Sequence, residues 1–281
     1  PACLGRRAFP PRGPYPSPRR VVLASRAVAE PVIRFRDVRK AFGPKVIYRD
    51  LNIEVFPGET ITVMGGSGVG KSVMLKLLIR LLEADGGSIT FHGDEITRMS
   101  DREAGLVRQR IAMLFQGGAL FDSISVGDNV AYGLREHFRK TMTEKQIAER
   151  VDWALSLVGL PGIEQMRPAD LSGGMKKRVG LARAIAVQPE VLLYDEPTTG
   201  LDPININRII DLILHLQRNM NITSVVVTHD MHTAISVSNR IAMIDKGGII
   251  FSGSISDIVT CQDPRVKDFI EGNAAAEPLQ V

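Results

Sequence analysis

Gly65-Gly66-Ser67-Gly68-Val69-Gly70-Lys71-Ser72 follows the spacing G-x-x-x-x-G-K-S/T, a pattern suited to holding phosphate. Its glycines let successive backbone N–H groups curl round a β-phosphate without side-chain obstruction. The whole run, Ser67 and Val69 included, forms the candidate loop. Lys71 supplies a point charge for the β- and γ-phosphates, and the Ser72 hydroxyl suits Mg2+. Such a site needs an acid for the metal. Asp195 and Glu196 follow the apolar run Val191-Leu192-Leu193-Tyr194, 124 residues after Lys71. Asp195, at the C-terminal end of a buried strand, suits Mg2+ held through water. Glu196 suits the polarisation of a water attacking the γ-phosphate. Together the two stretches imply binding of a nucleoside triphosphate.

Elements must position these residues. Thr60 to Met64 reads as a strand before the glycine run, and the nearly all-apolar Ser72 to Leu82 reads as a buried helix after it. Val32 to Arg36, Ile53 to Val55 and Ser88 to Phe91 read as further strands, and Ile111 to Phe115 as another, ending before Gln116. Val191 to Tyr194 and Ser224 to Val227 are short unbroken apolar runs, as expected of strands buried on both faces of a parallel sheet. Ile147, Val151, Leu155 and Val158 fall at helical spacing within Lys145 to Val158. Ile241 to Phe251, with Lys246-Gly247-Gly248 in its middle, reads as a hairpin. The expected fold is α/β: a mostly parallel sheet core with an antiparallel β subdomain and an inserted helical subdomain over about residues 118–188.

The formal charge of +4 is concentrated at one end. Residues 1–30 hold six arginines and one acid, Glu30; taking that +5 from +4 leaves about −1 for the rest. A general nucleic-acid-binding surface is therefore not indicated. The same proline- and arginine-rich segment has no hydrophobic period and reads as a disordered leader, either an organelle transit peptide or an artefact of the gene start. Cys3 and Cys261 form no metal-ligand spacing. No run approaches the roughly 18–20 apolar residues that cross a bilayer. A role at a membrane would require a separate spanning chain.

Leu171-Ser172-Gly173-Gly174-Met175 begins a helical run to Val187, 23 residues before Asp195 counted from Ser172. Ser172 is a good N-cap, and the two glycines expose N–H groups at the helix start. In this context the segment resembles the signature motif of ABC ATPases. The resemblance covers roughly residues 32–255, with the main motifs in order. It implies ATP as the nucleotide, a P-loop NTPase (RecA-like) fold, and an ABC domain over residues 31–255 followed by a C-terminal tail over residues 256–281. It also implies that Ser172, Gly173 and Gly174 close over ATP held by a second copy, in a head-to-tail dimer.

Other positions match the same family. Gln116 resembles the glutamine that senses Mg2+ and couples to a partner, and His229 the histidine that contacts the γ-phosphate. Asp202 in Thr199-Gly200-Leu201-Asp202 resembles the loop that faces the second subunit, with Thr where Ser is more usual. Phe42 stands where the family sets an aromatic ring against adenine. Met113 to Phe121 and Asp128-Asn129-Val130-Ala131-Tyr132 resemble the ATPase subunit of the Mla-type lipid transporters, whose plastid counterpart imports lipid. Leu134 to His137 and Asp263 to Val266 agree with it.

The resemblance implies a membrane permease and a lipid-binding protein as partners, and phospholipid as cargo. The implied location is the cytoplasmic face of the bacterial inner membrane; the plastid counterpart would face the stroma at the inner envelope. An importer for another solute and a soluble non-transport ABC ATPase are the alternatives.

Overall fold

The computed structural model describes residues 30–271, so the leader expected over residues 1–30 lies, but for Glu30, outside the described residues. β1 (Ile33–Phe42) and β2 (Lys45–Val55) form an antiparallel pair, extended by β4 (Gly86–Phe91) and β5 (Asp94–Glu95) in the order β2-β1-β4-β5. β1 and β2 run longer than their apolar stretches suggest, since each continues past its buried half into exposed sequence. β3 (Thr60–Met64) occupies the expected residues and is buried throughout. α1 (Lys71–Leu78) follows it.

The helix expected as far as Leu82 stops at Leu78. Arg80 turns into the left-handed region at φ 56°, and the Leu81 N–H closes back on the Lys76 carbonyl at 2.9 Å. Apolar residues continue past that point, but they pack as a turn. α2 (Asp101–Arg110), fixed by a Ser100–Glu103 capping box, had no counterpart in the pattern reading.

β6 (Ile111–Leu114) leads into the helical insertion: α3 (Val126–Phe138), α4 (Glu144–Leu157) and α5 (Gly173–Ala186). Each is started by a hydroxyl cap, Ser125, Thr143 and Ser172 respectively. The first turns of the insertion, residues 118–125, are not helical. β7 (Val191–Asp195), α6 (Pro203–Met220), β8 (Thr223–Val227), α7 (Met231–Val237), and the hairpin β9 (Arg240–Asp245) and β10 (Gly248–Gly253) complete the core. Two short helices, α8 (Ile255–Thr260) and α9 (Pro264–Glu271), pack on it through Ile258 and Val266.

The large sheet runs β10-β9-β3-β8-β7-β6. Only β10 pairs antiparallel; β9, β3, β8, β7 and β6 pair in parallel. Alternation along its strands divides the core. Leu193, Val225 and Val227 face the antiparallel subdomain and α1, while Leu192, Tyr194 and Val226 face α5 and α6. Both faces are therefore covered, as the unbroken apolar runs required.

Candidate active site

β3, β8 and β7 are neighbours, with Val63 opposite Val227 and Asp195 opposite the same Val227. The residues that leave their C-terminal ends therefore meet at one edge: Gly65 onward, Thr228-His229, and Glu196. This is where ligands bind in open parallel sheets.

Gly65, Gly68 and Gly70 take φ of 152°, 77° and 110°, values that side-chain-bearing residues avoid. A Cβ on Gly70 would also sit 2.5 Å from Ile47. Gly70 is the N-cap of α1 and makes no side-chain capping bond to the N–H groups of the helix start. The Tyr48 hydroxyl, buried on β2, donates to the Gly70 carbonyl at 2.5 Å and ties the loop to the antiparallel subdomain.

Lys71 is buried, and its ammonium donates to the carbonyls of Gly65 (2.8 Å) and Gly66 (2.9 Å) while lying 3.8 Å from Glu196. Burial pulls its pKa down, against the pull of Glu196 and Asp195. The Ser72 hydroxyl donates to Asp195 at 2.6 Å, and burial raises the Asp195 pKa despite that bond. A hydroxyl and a carboxylate in contact are hard oxygen donors that fit Mg2+, which takes few protein ligands and completes its shell with phosphate and water. Among the described residues no group of three or more His, Cys, Asp or Glu forms a separate metal site.

Glu196 is buried with its backbone at φ 47°, in the left-handed region. Its carboxylate accepts from Thr199 (3.0 Å) and Thr228 (3.2 Å), and both its oxygens lie 3.0 Å from His229 Nδ1. His229 is exposed on its far side. Lys71, Ser72, Asp195, Glu196 and His229 are thus gathered into one cluster.

The remaining expected residues surround it in separate elements. Gln116 is exposed just after β6, and the next turn, Gly118 and Ala119, has its carbonyls held by Arg183 of α5 at 2.9 and 2.7 Å. Phe42 ends β1 with its ring 45% exposed and Lys40 5.1 Å from its centroid, open for stacking. Ser172 accepts from the Met175 N–H at 3.3 Å and starts α5, with Gly173 its first residue. A Cβ on Gly174 would meet Asn205 at 2.9 Å, so this glycine is fixed by close approach to α6. Asp202 caps α6 by accepting from the Asn205 N–H at 3.0 Å.

Three polar residues bonded to this site were not anticipated: Tyr48 and Thr228, and Lys177, whose ammonium donates to the Glu196 carbonyl at 3.2 Å. Lys177 is buried, and its position at helical spacing between Gly174 and Leu181 on the covered face of α5 is the signal that could have revealed it.

A glycine loop starting a helix beside a parallel strand, an Asp-Glu pair on a nearby strand and a second helix opened by Ser-Gly-Gly define an ATP-binding cassette. The chain belongs to the ABC transporter family, whose model matches residues 48–199, and as an ABC ATPase it binds and hydrolyses ATP. Over 83% of its length it is 42% identical to the intermembrane phospholipid transport system ATP-binding protein MlaF of Haemophilus influenzae, covering 87% of that protein. It is 38% identical over 85% of its length to the probable ribonucleotide transport ATP-binding protein mkl of Mycobacterium leprae, covering 69% of it. A dimeric, post-hydrolysis structure of the ATP-binding cassette MJ0796 bound to ADP and Pi matches 79% of this chain and 98% of its own, at 28% identity and a TM-score of 0.74.

Proposed function

We propose that the chain is the ATPase subunit of a transporter that moves phospholipid between membranes. The observation that carries the cargo is the similarity to the H. influenzae protein, which is named for intermembrane phospholipid transport. The M. leprae relative favours a second reading, ribonucleotide transport. A membrane permease and a lipid-binding protein complete the complex; among the described residues no helix is long and apolar enough to cross a membrane. The similarity to bacterial ATP-binding proteins of intermembrane phospholipid transport supports a peripheral position on the cytoplasmic face of the inner membrane. Residues 31–255 are the cassette, residues 1–30 a leader and residues 256–281 a tail.

Within the cassette, Lys71 and the N–H groups of residues 65–72 hold the phosphates, and Phe42 stacks on adenine. Ser72, Asp195 and Gln116 would hold Mg2+, which would offset phosphate charge. Glu196 accepts the proton of the attacking water, oriented by Thr199, Thr228 and His229. His229 also reaches the γ-phosphate. Ser172, Gly173, Gly174 and Asp202 serve the nucleotide of a second copy; the dimeric form of MJ0796 supports this arrangement.

The cargo is tested by purifying the chain with its native membrane partner, reconstituting both in vesicles, and following transfer of labelled phospholipid and of labelled ribonucleotide. ATP-dependent phospholipid transfer is expected; ribonucleotide uptake in its place establishes the second reading. The site is tested by E196Q, expected to lose about 10²–10⁴-fold in turnover while still binding ATP. Normal turnover in E196Q removes Glu196 as the base.

A further inference from the structure

We propose that Lys177 is a positioning residue for hydrolysis: its ammonium holds the backbone from Glu196 to Thr199 so that the Glu196 carboxylate keeps its working orientation. The proposal rests on the reading of Glu196 as the general base.

Lys177 projects from α5 into the protein, only 5% exposed. Its Nζ donates to three carbonyl oxygens of one loop: Glu196 at 3.2 Å, Pro197 at 3.0 Å and Thr199 at 2.6 Å. An ammonium has three protons, and all three are used on this single segment. Among the described residues no carboxylate lies within salt-bridge distance of it, so the charge is solvated by backbone dipoles. Burying an ammonium that makes no salt bridge is expensive, although the Glu196 carboxylate favours its charge, and what the lysine gives in return is a donor to three loop carbonyls. Packing alone does not call for a lysine here.

The segment it holds needs restraint. Glu196 is a non-glycine residue at φ 47°, a conformation that relaxes unless its surroundings over-determine it. Its N–H is already fixed on the Val227 carbonyl at 2.9 Å. Lys177 fixes its carbonyl on the other side. The Thr199 carbonyl takes the shortest of the lysine's bonds, and the hydroxyl of that same Thr199 donates to the Glu196 carboxylate at 3.0 Å. One ammonium therefore sets both the backbone that carries the carboxylate and the hydroxyl that orients it. Because Ser172 opens the same helix, the carboxylate is also tied mechanically to the motif proposed to engage the second copy.

The test uses the full chain with its native membrane partner and four variants: K177M, K177R, K177Q and E196Q. A misplacement of about 1 Å can reduce rate about 10²-fold. K177M is expected to lower kcat by about that factor, with KM for ATP and affinity for a fluorescent ATP analogue unchanged. K177R is expected to recover most of the loss, because a guanidinium also donates several N–H bonds. Should K177M fail to fold, K177Q, whose single amide group has two N–H donors for three carbonyls, is expected to lose part of kcat with ATP affinity unchanged, and full kcat in K177Q overturns the proposal.

Unchanged kcat in K177M overturns the proposal. So does a loss of nucleotide affinity that parallels the loss of kcat, or failure of K177R to recover activity. Full turnover in E196Q removes the base assignment and this proposal with it. An inactive E196Q beside a fully active K177M removes the proposal alone.

Discussion

At the scale of the residue, the site is organised by competition for a few charges. The Lys71 ammonium already donates to Gly65 and Gly66 and faces Glu196, so phosphate oxygens must draw it from these partners. A hydrogen bond to a charged group contributes about 1.5–3 kcal/mol. K71A is therefore expected to weaken ATP binding by about 10–100-fold, measured by nucleotide titration of the purified chain. Equal affinity in K71A and the parent would remove Lys71 from the phosphate site. Glu196 behaves differently, since its bonds to Thr199, Thr228 and His229 orient the carboxylate proposed to take the water's proton. The two substitutions should thus separate cleanly, one acting on affinity and the other on rate.

At the scale of the element, the loop before α1 is tied to β2 by one buried hydroxyl. Tyr48 donates to the Gly70 carbonyl, and burial raises the Tyr48 pKa, so it stays a protonated donor at neutral pH. Y48F removes only that oxygen and leaves a carbonyl without its partner, which costs about 1–3 kcal/mol. Thermal unfolding should show the lowered stability, whereas an unchanged midpoint would mean that the bond contributes nothing net.

Much of this level was legible in the sequence. β7 and β8 were readable because strands covered on both faces are short apolar runs with sharp ends, and β3 because it leads directly into the glycine run. The start of α5 was readable from Ser172. α1 was read one turn too long because apolar residues do not reveal the left-handed turn at Arg80. α6 went unread although Ile209, Ile210, Ile213 and Leu216 line its buried face, because Asp202 was considered as a loop residue and not as a cap. Lys177 was hidden within Lys176-Lys177-Arg178, where charge suggests an exposed surface and only the register of α5 says otherwise.

At the scale of the whole molecule, the cluster of Lys71, Ser72, Asp195, Glu196 and His229 does not include Ser172. That separation is what a trans arrangement requires. Replacing Ser172 by Ala should leave nucleotide affinity of the monomer unchanged. It should reduce turnover and also the ATP-dependent dimer that E196Q is expected to accumulate, as measured by light scattering. Loss of monomer affinity together with turnover would argue that Ser172 acts within its own chain. Sequence motifs could name this second surface, but spacing alone could not say that its residues stand in a different element from the phosphate cluster.

α5 grips its neighbours in a way that bears on how such a protein can diverge. Lys177 holds the carbonyls of Glu196, Pro197 and Thr199, and Arg183 holds those of Gly118 and Ala119. A clamp made on carbonyl oxygens is blind to the side chains of the loop it holds. Apart from glycines needed for close approach, such as Gly118, the loop after β6 is free to exchange side chains without loosening from the helix. The outward face of that loop can therefore be rewritten residue by residue while the grip on its backbone stays unaltered.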